Sequence, residues 1–192
     1  FNQCLAVLAC YVPIHRLRLN RDWLEDYPTD TYESRMLIES QLQQPQEEKR
    51  IKATIQGDSE ISDAISIKVQ DMYEENPYPR WVTTKLEHRP MPIVEMTNRL
   101  LGLRLIKPAV DLSKAPQILI AGCGTGQHSL STASIFKNSR VTAVDLSFGS
   151  LSYAKRKTEE LGITNIEYLQ ADLLDLEELG KKFDIIESSG VL

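Results

Sequence analysis

The sequence predicts an α/β fold: a parallel sheet of about four strands flanked by helices over residues 111–192, preceded by a mainly helical region over residues 1–110. Three observations predict it. Four apolar segments alternate with helix-patterned segments in the second half. A glycine-rich turn, Gly122-Cys-Gly-Thr-Gly126, joins the first apolar run to the first helical one. Carboxylates stand just past the next two runs, at Asp145 and Asp172. Alternation at this spacing implies parallel strands joined by helical crossovers, and open sheets of that kind bind ligands at the carboxyl ends of their strands.

The strands are expected at Gln117–Ala121, Arg140–Val144, Asn165–Gln170 and Phe183–Glu187, with helices at about 126–137, 147–161 and 173–180. Ser147 suits an N-cap, Leu151, Ala154 and Leu161 a buried stripe, and Gly162 a C-terminal stop. In the first half, Leu5, Leu8 and Val12 recur at helical spacing up to Pro13. A second helix runs from Met36 and Leu37 toward Lys49, interrupted near Pro45. A third is capped by Asp58 or Ser59, carries Ile61, Ile65, Val69, Met72 and Tyr73 on one face, and must end near Asn76-Pro-Tyr-Pro79. A short helix is expected between Pro92 and Leu101. Only a few residues follow the fourth strand, so the chain reads as a C-terminally truncated fragment.

Composition narrows the function classes. The 192 residues are 42% hydrophobic and 26% charged, with net charge −5 and no Lys/Arg block, so neither nucleic-acid nor membrane binding is suggested. Cys4, Cys10 and Cys123 form no CxxC pair and the histidines are scattered, which argues against a structural zinc site and a disulfide framework. No metal is expected, and a reducing, cytoplasmic setting fits. The apolar run Leu5–Ala9 is too short to span a bilayer.

The glycine turn carries the chemistry. Glycine lets the backbone adopt φ > 0 and approach a ligand closely. The dinucleotide fingerprint is G-x-G-x-x-G, but here the third glycine arrives one residue early and Gln127 stands where that fingerprint needs glycine. Such a turn also occurs structurally or for other ligands. Asp145, 19 residues after Gly126, can accept from both hydroxyls of a ribose, or be a strand-end or helix-capping aspartate. Asp172 can accept from an adenine amine, or cap a helix, with Leu173 as an apolar wall beside it.

These segments together resemble the class I S-adenosylmethionine-dependent methyltransferases. Ile118–Gly126, Val141–Ser147, Ile166–Leu173 and Phe183–Leu192 are similar to four successive motifs of that family. The resemblance implies a Rossmann-like methyltransferase fold and S-adenosylmethionine as cofactor. It implies cofactor contacts at Ala121, Gly122, Cys123, Gly124, Gly126, Asp145, Leu146, Asp172, Leu173 and Ser188. Asp71-Met-Tyr-Glu-Glu-Asn-Pro-Tyr-Pro-Arg-Trp81 is similar to a segment preceding the methyltransferase domain in bacterial proteins with tetratricopeptide repeats, which would place such repeats upstream. One departure stands out: the family's usual acidic residue two positions before the first glycine is Ile120 here.

The expected activity is methyl transfer to a small-molecule or protein acceptor. The alternatives are a non-catalytic cofactor-binding or scaffold fragment, and an NAD-binding oxidoreductase domain. No catalytic residue is assigned. Glu187, Ser188 and Ser189 are candidates beside the acceptor. Tyr73, Asn76, Tyr78, Arg80 and Trp81 are candidates for a lid, with hydrophobic packing as the other reading of Tyr78 and Trp81. His128 reads as a surface or supporting residue, and Cys123 as a small filler.

Overall fold

The computed structural model describes residues 2–17, 31–57, 61–87, 89–93, 95–96 and 115–191. By internal contacts the chain divides into two compact units, Phe1–Arg50 and Ile51–Leu192. The change of texture near residue 110 lies outside the described residues, as do Asp58, Ser59 and most of the helix expected at 92–101.

The first unit is helical. Helix α1 spans Asn2–Ala9 and is followed by a 3-10 turn at Ile14–Arg16, after Pro13. Helix α2, Tyr32–Ile38, starts at Thr31, whose side chain accepts from the Ser34 N–H at 3.2 Å. A π-turn at Glu39–Gln43 leads directly into helix α3, Gln44–Lys52. The expected interruption near Pro45 is therefore a change of winding rather than a break. Pro45 removes one N–H from the ladder, and the wider π winding just before it, with the Gln44 N–H bonded to the Glu39 carbonyl, lets the helix continue past the ring. Leu5, Ile14, Ile38 and Leu42 form this unit's core.

The second unit holds a parallel sheet of five strands. They are β1 (Gln56–Gly57), β2 (Gln117–Ala121), β3 (Arg140–Asp145), β4 (Ile166–Gln170) and β5 (Ile185–Ser188), in the order β1-β4-β3-β2-β5. The four expected strands are present. The fifth, β1, was not expected, because two residues carry no periodicity; pairing with Leu169 and Gln170 makes it a strand. Chain order runs outward from β2 through β3 to β4 and returns to β5 on the other side of β2. Such a reversal is where open sheets leave a crevice. Ile118, Ile120, Val141, Ala143 and Tyr168 pack with Leu151, Ala154 and Ala133 of the flanking helices.

Helix α4, Ala64–Glu75, is capped by Asp63, which accepts from the Ile65 and Ser66 N–H groups, both at 2.9 Å. Its expected apolar face is not buried: Ile65 is 72% and Met72 56% exposed. The polar stripe Ser66-Gln70-Glu74 docks instead. Gln70 Nε2 donates to the Leu146 carbonyl at 3.0 Å, and Glu74 accepts from Gly149 N–H at 2.8 Å and Ser147 Oγ at 3.2 Å. Helix α5 spans Gln127–Ile135 and helix α6 Phe148–Glu160. Ser147 caps α6, accepting from Ser150 N–H at 3.0 Å, as expected.

Leu161 does not join the α6 stripe. It lies past the last turn and is 41% exposed. Thr158 takes the inner position, its hydroxyl between the Ala154 carbonyl and the Tyr168 hydroxyl, each at 2.8 Å. Gly162 N–H donates to the Glu159 carbonyl and Ile163 N–H to that of Thr158, the paired bonds of a Schellman stop. The segment after β4 is 3-10 helix, Leu173–Leu179, kinked at Asp175. Among the described residues, no helix is long and apolar enough to cross a membrane.

Two glycines separate backbone strain from crowding. Gly126 has φ 82°, and a Cβ there would lie 2.5 Å from Ala154 Cβ; Gly162 has φ 67° but open space around it. We expect Gly162→Ala to cost about 1 kcal/mol, for the left-handed backbone alone, and Gly126→Ala about 3 kcal/mol or more, with overpacking added. Urea unfolding of both variants measures the difference, and equal losses would contradict it.

Candidate functional site

The turns after four strands meet at one end of the sheet. Together with α4 and the segment after it, they enclose a cavity of about 650 Å³. Its floor is Gly122–Thr125 after β2. Asp145 and Leu146 follow β3, Leu173 follows β4, and Ser189–Val191 follow β5. Val69, Met72, Tyr73, Tyr78 and Pro79 form the facing wall. A hollow of about 860 Å³ at the opposite end of the sheet begins at Gln117, Arg140 and Ile166. It is lined by the turns that lead into β3, β4 and β5, and none of the glycine turn, Asp145 or Leu173 borders it.

The turn folds as its glycines require. Gly122, Gly124 and Gly126 have φ of 75°, 52° and 82°. The Gly122 and Cys123 N–H groups both donate to the Val144 carbonyl at 2.9 Å, extending the β2–β3 ladder into the turn. A Cβ at Gly124 would meet nothing within 4 Å, so that backbone is bare toward the cavity. At Gly122 the Val191 side chain occupies the space of a Cβ.

Asp145 binds this turn to the next one. One carboxylate oxygen accepts from Gly124 N–H at 2.7 Å, and the other from Ser147 N–H at 3.0 Å. Burial raises its pKa above 3.8, and these N–H donors work against that rise. Each oxygen keeps a second lone pair, so the carboxylate can still accept from hydroxyls in the cavity.

The Asn76–Trp81 segment grips the turn from outside. Trp81 Nε1 donates to the Thr125 carbonyl at 3.0 Å, and Thr125 Oγ1 donates to the Pro79 carbonyl at 2.7 Å. Trp81 is buried edge-on against Tyr153, whose hydroxyl donates to the Trp81 carbonyl. Arg80 lies over the Tyr153 ring at 4.5 Å. Of the lid candidates, Tyr73 and Tyr78 border the cavity, whereas Trp81 and Arg80 pack behind it.

The other candidates are placed as follows. Cys123 is buried in the cavity floor, and burial, with the Asp145 charge, pushes its thiol well above the usual range. A thiol held protonated in this way is a poor nucleophile. Ala121 packs with Leu119, Val144 and Leu169 beneath the floor. Asp172 is buried and accepts from Leu174 N–H at 3.0 Å, so it caps the 3-10 segment while Leu173 forms the wall. Ser188 is exposed at the end of β5, and its neighbour Ser189 borders the cavity. Thr125, Gln127 and Ser150 also border it, and Ser150 Oγ is buried without a hydrogen-bond partner. Sequence reading missed Ser150 because its α6 position gives no sign of facing the cavity.

His128 pairs with Glu187, Nε2 to Oε2, at 2.9 Å, and Thr132 Oγ1 donates to the same oxygen at 2.7 Å. The shared hydrogen bond raises the pKa of His128 and lowers that of Glu187; burial opposes both shifts. Glu187 is the register partner of Ile120 on the neighbouring strand. Ile120, where the expected acid is absent, is fully buried.

Residues 118–192 match a family model described as a methyltransferase domain. The chain is 32% identical over 119 residues to an uncharacterised protein of Rickettsia prowazekii, covering 62% of this chain and 44% of that protein. It is 30% identical over 104 residues to release factor glutamine methyltransferase of Chlorobaculum tepidum, covering 52% and 35%. It is 38% identical over 88 residues to malonyl-[acyl-carrier protein] O-methyltransferase of Hamiltonella defensa, covering 46% and 31%. The chain spans less than half the length of these relatives. Residues 118–192 are thus similar to methyltransferase domains.

The His128–Glu187 pair sets a pH window. The raised His128 pKa contributes stability that is full below 6.5 and lost as pH rises through the folded value. The lowered Glu187 pKa contributes stability present above 4.5 and lost as pH falls through its folded value. We therefore expect His128→Ala to destabilise most between those two values, by about 1 kcal/mol or less for a half-exposed pair. Urea midpoints across pH measure it; a loss that grows as pH rises above 6.5 would contradict the pairing.

Proposed function

We propose that this chain is an S-adenosylmethionine-dependent methyltransferase domain acting on a small-molecule or protein acceptor. The observation that carries the proposal is the convergence of four strand-end turns on one cavity, floored by the bare Gly124 backbone and braced by Asp145. The residues suit the cofactor. A volume of about 650 Å³ is of small-molecule size. Gly122–Gly124 can lie under its methionine end, Asp145 can take ribose hydroxyls, and Leu146 and Leu173 can flank its adenine. Asp172 stands next to Leu173 for the adenine amine. Gln127 borders the cavity where a dinucleotide turn needs glycine, which disfavours an NAD-binding reading.

When bound, the cofactor supplies a methyl group activated by a sulfonium. The chain's task is then to align the acceptor with that methyl and keep water out. The wall of Val69, Met72, Tyr73 and Tyr78 does the second, and an aromatic face toward a sulfonium adds about 0.5–2 kcal/mol. Two relatives are named for unlike acceptors, a release-factor glutamine and a malonyl carrier protein, so the acceptor does not carry over. The similarity of Asp71–Trp81 to a segment that precedes the methyltransferase domain in bacterial tetratricopeptide-repeat proteins supports a repeat-associated type, and the free Cys4, Cys10 and Cys123 suit a reducing, cytoplasmic setting.

Titration calorimetry with S-adenosylhomocysteine and with NAD tests the reading. We expect S-adenosylhomocysteine to bind and NAD not to. Asp145→Ala should weaken S-adenosylhomocysteine at least tenfold, or about 1.4 kcal/mol. Binding of NAD alone, or of neither, would sink the proposal, and an unchanged affinity in the variant would remove Asp145 from the site.

A further inference from the structure

The cavity's charges are sparse and placed apart. Among the described residues that border it, Asp145 is the single carboxylic acid and His128 the single group able to carry positive charge. Asp145 is already bonded to Gly124 and Ser147. His128 stands on the first turn of α5, two residues beyond Gly126. That turn adds unpaired N–H groups and the positive end of a helix dipole. Glu187 accepts from His128 Nε2 at 2.9 Å, and Thr132, one helical turn along, steadies the same carboxylate oxygen at 2.7 Å. The imidazole is thus held from behind, with Nε2 committed to Glu187. Nδ1 remains as a donor when the ring is protonated.

We infer that His128 receives the carboxylate of the cofactor's methionine moiety, and that Glu187 is a positioning residue that holds the ring and its charge. This rests on the methyltransferase reading above. It gives the cavity one cationic pole for the one anionic group of the ligand, at the mouth of the glycine turn. One ionisable group contacts the His128 ring and others share the cavity with it. They are Glu187 on β5, Asp145 after β3, Cys123 in the turn, and Tyr73 and Tyr78 across the cavity. Lys85 lies beyond, bordering the open depression that shares His128 and Gln127 with the cavity. Glu187 and Asp145 favour the charged ring, and Lys85 opposes it. A bound carboxylate also favours it, so affinity is highest below the folded pKa of His128 and falls as pH rises through it.

The test compares two ligands on the chain as it stands. S-adenosylhomocysteine carries the carboxylate; 5′-methylthioadenosine has the same nucleoside and sulfur without it. Between about pH 6 and about pH 8, calorimetry should show S-adenosylhomocysteine weakening by about fivefold or more and methylthioadenosine by less than about twofold. His128→Gln should bind S-adenosylhomocysteine more weakly at the lower pH and without the pH dependence. Glu187→Gln should move the midpoint to lower pH. If S-adenosylhomocysteine binds with an affinity flat in pH, the inference fails and the methyltransferase reading stands. The wild-type pH series gives this result even where a variant does not fold. If His128→Gln keeps the wild-type dependence, the assignment to His128 fails, and an unmoved midpoint in Glu187→Gln removes Glu187. No binding at either pH overturns both readings.

Discussion

Asp145 holds two turns of the chain with one carboxylate, taking the Gly124 N–H on one oxygen and the Ser147 N–H on the other. The site depends on this bridge. Gly124 belongs to the turn after β2, and Ser147 begins helix α6 after β3. Backbone bonds from Gly122 and Cys123 to Val144 already join the two strand ends, and the carboxylate extends that join to Gly124 and to the start of α6. Hydrogen bonds to a charged acceptor contribute about 1.5–3 kcal/mol each, more than neutral ones, and partial burial excludes competing water.

Around that bridge the chain builds outward in layers of hydrogen bonds. Glu74 extends it, taking the Gly149 N–H and the Ser147 hydroxyl, so that α4 is fastened to the start of α6. Burial would raise the pKa of Glu74, but its bonds to Lys52, Gly149 and Ser147 hold it below the ordinary value. A Cβ at Gly149 would lie 2.9 Å from the Glu74 carbonyl, so the close approach of the two helices needs glycine there. Trp81 and Thr125 fasten the other end of the same wall to the glycine turn. This arrangement leaves the apolar side of α4, with Val69 and Met72, bordering the cavity instead of filling a core.

The same logic explains which expectations changed. A stripe of apolar residues on α4 looks like a core face to any periodicity argument, since periodicity reports an apolar side and not what covers it. Here hydrogen bonding from Gln70 and Glu74 decided which side docks. Leu161 failed for a local reason, because the Schellman turn at Gly162 ended the helix one residue earlier than the stripe required. Strand β1 was invisible because it exists only through its partner β4. Asp172 fills one of the two roles its position allowed, capping the 3-10 segment through the Leu174 N–H.

The sequence by itself determined the alternation of strands and helices, the left-handed glycine turn, the Ser147 cap and the carboxylate after β3. Each is a local property: glycine where φ must be positive, a short polar side chain where a helix starts, an acid where a strand ends. Tertiary structure decided what those residues touch. It set Glu187 beside His128, far apart in sequence, because β5 returns to pair with β2 beneath α5. It also brought the Gly124 N–H to Asp145, which the local Ser147 N–H alone would have left half open to solvent. Pairings of this kind come from strand order, and strand order is fixed by which surfaces bury together, which no short stretch of sequence specifies.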